Sequence, residues 1–161
     1  MTRINLVNVE DLADQHLMSE WREIKMVPAS LRRSLKTRTK NDILKNIPKT
    51  FTLNTGHVTF FFNKMHFLCN RYIALTQELE NRDYNLTMHD MDQIFYADIP
   101  EEFRKIEWQP DASDIKISIE RLLLRLNERP NWYRHYGSVT QPLYFEQLYM
   151  LQLDQRDNIY A

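Results

Sequence analysis

Residues 55–81 read TGHVTFFFNKMHFLCNRYIALTQELEN, with Val58, Phe61, Phe62, Met65, Leu68, Cys69, Tyr72, Leu75 and Leu79 recurring at three- and four-residue intervals. Apolar residues at that period line one face of an α-helix, so the spacing predicts a long helix over about 55–81 as the spine of a core. Outward from it, Ala13, Leu17, Trp21 and Ile24 predict a first helix, capped by Asn8 with Asp11 three residues on and continuing to about Lys25. Pro28, a favoured first-turn residue, opens a short basic helix through SLRRSLK, and polar, basic 37–52 is expected to be a loop. Downstream, the acidic stretch containing Pro100 and Pro110 is expected to be irregular. Ile115, Ile119, Leu122 and Leu126 define another helix that Pro130 ends, and a weaker pattern predicts one more from Pro142 to about Leu153. Gly56 and Gly137 are the only glycines, so strands joined by tight glycine turns are hard to find, and an all-α fold is expected.

The 161 residues suit one domain rather than two. A hydrophobic content of 43% with 27% charge belongs to a soluble globular protein, and no apolar run approaches the roughly 18 residues of a membrane span. Neither a secretory signal nor a membrane partner is expected. Cys69, the single cysteine, falls in the apolar stripe of 55–81, where a buried inert thiol in a reducing cytoplasm is the expectation. The net charge of −1 conceals a division. Residues 22–49 hold nine bases and two acids, whereas residues 78–111 hold ten acids and three bases. One basic and one acidic lobe would let a near-neutral molecule offer a phosphate-binding face, although a merely solvated basic surface explains the same charges.

Three places carry potential chemistry. The start, MTRIN, exposes an α-amine whose ordinary pKa of about 7.7–8.0 leaves a fraction of it nucleophilic near neutrality. On the first helix His16, Glu20 and Glu23 share one row, with Gln15, Met18 and Arg22 alongside; the residues alone favour a solvent-facing surface there over a metal site, which would lack the HExxH pattern. NWYRHYG sets Trp132, Tyr133 and Tyr136 around Arg134 and His135 beside Gly137. Such a cluster can stack on bases and hold phosphates, or pin the chain to the core.

Five blocks in register, MTRINL, LADQHLM, EWRE, GHVTFFFNK and RPNWYRHYG, closely resemble the phage-type pyrimidine-dimer DNA glycosylase and abasic-site lyase family, the endonuclease V family of the T-even phages. The resemblance spans roughly residues 1–137 and is densest in the first 25. It implies a compact single-domain helical fold with the N-terminal segment threaded between helices. Residues 138–161 would then be a C-terminal extension, which its apolar side chains suggest packs on the same domain.

The resemblance also implies roles. With Met1 removed, the Thr2 amine would attack the sugar C1′ of the 5′ nucleoside of a cyclobutane dimer, forming an imine, and Glu23 would stabilise the cationic sugar and assist β-elimination. Arg3, Gln15, His16, Arg22, Arg121, Arg125, Trp132, Tyr133 and Arg134 match positions that contact DNA or the lesion. No metal or other cofactor is implied. The implied partner is double-stranded DNA containing pyrimidine dimers or abasic sites, bound by a monomer in the cytoplasm, the host's if the protein is phage-encoded.

Two features depart from the family pattern: Met26 stands where the phage enzyme has arginine, and the extension follows Gly137. Lysine also gives way to Arg125. Met26 keeps two alternatives open, a glycosylase and lyase of altered lesion preference and a catalytically weak module that binds damaged DNA.

Overall fold

The computed structural model describes residues 4–87 and 89–160, with side chains up to Arg156; Thr2 and Arg3 lie outside the described residues. Among those described, eight α-helices follow in order: α1 (Asp14–Glu23), α2 (Met26–Leu35), α3 (Lys40–Lys45), α4 (His57–Phe60), α5 (Met65–Asn81), α6 (Met91–Phe95), α7 (Ala112–Glu128) and α8 (Pro142–Tyr160). Short 3-10 turns at Val9–Asp11 and Glu101–Phe103 complete the helical content. The fold is all-α, with one small antiparallel pair of two-residue strands, β1 (Arg134–His135) and β2 (Ser138–Val139).

The 55–81 run divides at Lys64, whose φ of −124° and ψ of 37° leave helical geometry. Phe60, Phe61 and Phe62 are all buried, and three consecutive residues sweep about 200° around a helix, more than one face can bury. Breaking the helix lets Phe60 and Phe61 meet Phe51 and Trp108 edge-on while α5 keeps its own stripe. That stripe is Met65, Leu68, Cys69, Tyr72, Leu75, Thr76 and Leu79, and Asp83 at a φ of +65° follows its end in the left-handed conformation common after helices. The Lys64 ammonium folds back to donate to the Phe60 carbonyl at 2.9 Å, and burial pushes its pKa down to about 8.

Other boundaries shift for local reasons. Asn8 precedes a 3-10 turn without a side-chain cap bond, and α1 begins only at Asp14. Pro28 is the third residue of α2, where its missing N–H costs no hydrogen bond because the first-turn donors have no partner within the helix. The stretch 37–52 contains α3, capped by the Thr39 hydroxyl accepting from Asp42 N–H. Helix α7 is closed by a reciprocal capping box between Asp111 and Asp114 and ends two residues before Pro130, as its pattern predicts. The 78–111 stretch is more ordered than expected, holding α6 and the second 3-10 turn.

The basic and acidic stretches are not separate lobes. Arg32 donates to the carbonyls of Gln93, Ile94 and Ala97 around the end of α6, and Lys40 pairs with Glu102 at 2.9 Å. Folding therefore sets part of the basic segment against the acidic one, as summing charge along a sequence cannot reveal. Phe145 and Tyr149 of α8 are fully buried in the same core as α1, α5 and α7, and α8 lies along α7.

Candidate active site

Residues 4–8 form an arm without regular structure, and side chains from distant elements hold its backbone. Ile4 N–H donates to His57 Nε2 at 2.8 Å, Asn5 N–H to Glu20 Oε1 at 3.0 Å, and Leu6 N–H to Ser118 Oγ at 3.2 Å. The Val7 carbonyl accepts from Arg71 at 2.7 Å. Ile4, Asn5, Leu6 and Val7 are all buried. The arm is thus threaded between α1, α5 and α7, as expected. His57 Nδ1 lies 2.7 Å from the Thr52 carbonyl, so the tautomer that fits both contacts carries its proton on Nδ1 and accepts through Nε2.

Where the arm meets α1 a cavity of about 270 Å³ opens, lined by Asn5, His16, Ser19, Glu20, Glu23, Arg121, Leu122, Arg125 and Tyr133. The row His16, Glu20, Glu23 therefore faces a pocket rather than open solvent. Glu20 is 1% exposed and forms a bidentate pair with Arg71, at 2.6 and 3.1 Å, while also accepting from Asn5. A buried carboxylate is tolerated only with partners of this kind, and here they hold the arm as well. The His16 ring lies 4.6 Å from that of Tyr133, and its buried Nδ1 has no hydrogen-bond partner among the described residues. The residue as a whole is half-buried, while its Nδ1 is fully buried. Burial, and secondarily the Arg125 charge, lowers its pKa to about 4. His16 is neutral at physiological pH.

Ser19 also borders a second, open groove of about 720 Å³ that Asp14, Gln15, Met18, Arg22, Tyr84, Trp132, Arg134 and Val139 help to line. Gln15 ties α1 to the NWYRHYG segment by donating to the Trp132 carbonyl at 2.8 Å and accepting from Arg134 N–H at 3.0 Å. Tyr136 and Gly137, at φ values of +51° and +81°, make the two-residue loop between β1 and β2. Two positive φ values match the right-handed twist of a short hairpin, but the first is costly for a tyrosine. Compensation comes from below: the Asp14 carboxylate accepts from Tyr136 N–H at 3.1 Å and Gly137 N–H at 2.8 Å, and Tyr136 Oη donates to Glu78 at 2.5 Å. Arg82 joins both carboxylates at 2.9 Å. The segment is thus pinned to α1 and α5. Tyr133 is buried, whereas Trp132 is 46% exposed with the Arg129 guanidinium 4.6 Å from its ring.

Of the residues expected from sequence, the structure brings His16, Glu23, Arg121, Arg125 and Tyr133 into the cavity, and Gln15, Arg22, Trp132 and Arg134 into the groove. Met26 lines neither; it begins α2, while Lys25 folds over the Trp21 indole at 4.4 Å. Sequence reasoning passed over Asn5, His57, Arg71 and Ser118. The one available signal was Arg71, a cation three residues after Leu68 and adjoining Tyr72 in an otherwise apolar helical stripe. A family model described as pyrimidine dimer DNA glycosylase matches residues 1–92, more than half of the chain.

Proposed function

The chain belongs to the pyrimidine dimer DNA glycosylase family, and from that premise we propose that it excises the 5′ base of a cyclobutane dimer through its Thr2 amine and then cleaves the abasic strand. The observation that carries this reading is the fastened arm. Asn5 lines the cavity that contains Glu23, and the three residues that separate it from the proposed amine span at most about 11 Å, which supports this reading. Arg121 and Arg125 favour the neutral, nucleophilic form of an amine entering the cavity.

In the proposed sequence the amine nitrogen bonds to C1′ as the glycosidic C–N bond breaks, and the departing base keeps the electron pair and takes a proton. Loss of protons from nitrogen, with O4′ leaving C1′ and becoming a hydroxyl, gives the imine. Removal of a C2′ proton then expels the 3′ phosphate oxygen, and water hydrolyses the imine to restore the amine. Glu23 balances the cationic sugar and relays these protons. Arg22, Trp132 and Arg134 of the groove hold the flanking strand through phosphate contacts and stacking. Residues 138–161 act as an extension of the same monomeric domain.

Purified full chain lacking Met1 is expected to nick ultraviolet-irradiated duplex and to be trapped on it covalently by borohydride; neither product forming would remove the basis for the assignment. Glu23→Gln is expected to retain duplex affinity within a few-fold while strand cleavage falls by about 100-fold or more. Equal cleavage by that variant would exclude the role given to Glu23. A second reading, an altered lesion range, is motivated by Met26, which is 52% exposed and uncharged where the phage enzyme has arginine. Trapping on a panel of duplexes carrying different damaged bases separates the two readings.

A further inference from the structure

The arm is gripped from a direction the one-domain family pattern does not include. On α8, within the extension, Gln152 Oε1 accepts from Asn8 N–H at 2.7 Å and Gln152 Nε2 donates to the Leu6 carbonyl at 3.5 Å. One carboxamide thus holds two residues of the arm. The apolar stripe that packs α8 consists of Phe145, Tyr149 and Leu153, spaced four apart; Gln152 lies beside it, and its polar end points at backbone instead of entering the core. Nearer the start, Asn5 forms part of the cavity wall and is fixed by Glu20. The arm is therefore fastened at Ile4, Asn5, Leu6 and Val7 by His57, Glu20, Ser118 and Arg71, and at Asn8 by α8.

We propose that Gln152 is a positioning residue: through Asn8 and Leu6 it sets the lengthwise placement of the arm and hence the approach of the N-terminal amine to the sugar. The proposal rests on the amine chemistry proposed above for its catalytic consequence, but not for its structural one. Gln152 adds the grip at the Asn8 end to those of His57, Glu20, Ser118 and Arg71, and reactivity falls steeply when a nucleophile is displaced by a fraction of an ångström to an ångström. Gln152 itself touches no substrate. Its removal should slow the chemical step without weakening the hold on DNA, which depends on the arginines of the cavity and groove.

The test uses full-length protein carrying Gln152→Leu, with Gln152→Ala in parallel in case leucine disturbs packing, and Gln152→Glu as the conservative variant. Single-turnover borohydride trapping on an abasic-site duplex is measured alongside the Kd for that duplex, the thermal midpoint, and amide hydrogen exchange at residues 5–8. The expected result for Gln152→Leu and Gln152→Ala is trapping slowed about tenfold, a Kd within twofold of the parent, and faster exchange at Asn8. Gln152→Glu, which still accepts from Asn8 N–H, is expected to recover most of the rate. A role confined to packing predicts a lower thermal midpoint with the trapping rate of the folded protein unchanged, and that outcome overturns the proposal. Should the parent protein form no adduct at all, the amine chemistry fails, and exchange alone decides: faster exchange at Asn8 upholds the positioning, whereas unchanged exchange overturns it.

Discussion

His16 makes the cavity sensitive to acid. Its pKa, lowered from the ordinary 6.5 to about 4 chiefly by burial and then by Arg125, means that the unfolded chain binds a proton between those values and the folded one does not. Its contribution to stability is therefore complete above about pH 6.5 and is lost as the pH falls toward 4, at about 1.4 kcal/mol per unit at most. Asp11 opposes this: burial, and then Glu10, raise its pKa to about 6, so the folded state gains from its protonation as pH falls through 6. In denaturant titrations from pH 7 to 5, His16→Gln is expected to lose less stability than the parent, and Asp11→Asn to lose more. Gly137 is a second decisive residue. A Cβ there would meet nothing within 4 Å, so its φ of +81° alone resists substitution, and Gly137→Ala is expected to cost about 1 kcal/mol in chemical denaturation. Sequence exposed Gly137 as a punctuation mark but not its partner in the turn, because Tyr136 adopts a positive φ only through Asp14 and Glu78, which are distant in sequence.

At the scale of elements, α7 was legible because one stripe and one proline agree on where it runs. The 55–81 run was not: its apolar spacing suits a helix, but the burial of three adjacent phenylalanines is a tertiary fact. Likewise the spacing of His16, Glu20 and Glu23 placed them correctly on one face of α1, while the environment of that face is set by the arm and by Arg71 of α5. Helices α1 and α5 are joined there by an ion pair whose side chains are 0% exposed on Glu20 and 10% on Arg71. Removing one partner strands the other, so Arg71→Met is expected to destabilise the protein by about 3–5 kcal/mol. The double variant Glu20→Gln/Arg71→Met is expected to recover part of that loss in urea unfolding, since no buried charge is then left alone.

Across the whole molecule, the charges divide into those spent internally and those left for a polyanion. Arg32 is committed to three carbonyls near α6, whereas Arg121 lines the cavity and makes no hydrogen bond or ion pair among the described residues. Arg121→Gln is therefore expected to reduce the slope of log affinity against log salt by about 0.9 for duplex DNA, as one released counterion is lost. Arg32→Gln is expected to leave that slope unchanged and to lower stability instead; anisotropy titrations at several salt concentrations distinguish the two. Charge counted along the chain suggested a basic face within 22–49, yet among the described arginines that line the site Arg22 alone comes from that stretch, with Arg121 and Arg125 from α7 and Arg134 from the hairpin. Net segment charge does not encode which donors folding will consume.

The bond between Asn8 and Gln152 joins residues 144 positions apart, and that between Leu6 and Ser118 spans 112. During synthesis the arm is consequently among the last segments to find its place, waiting for α7 and then α8 to emerge. A nascent chain can form the contacts of α1 with α5 well before the arm is seated, so closure of the cavity wall comes at the end of folding rather than at its beginning.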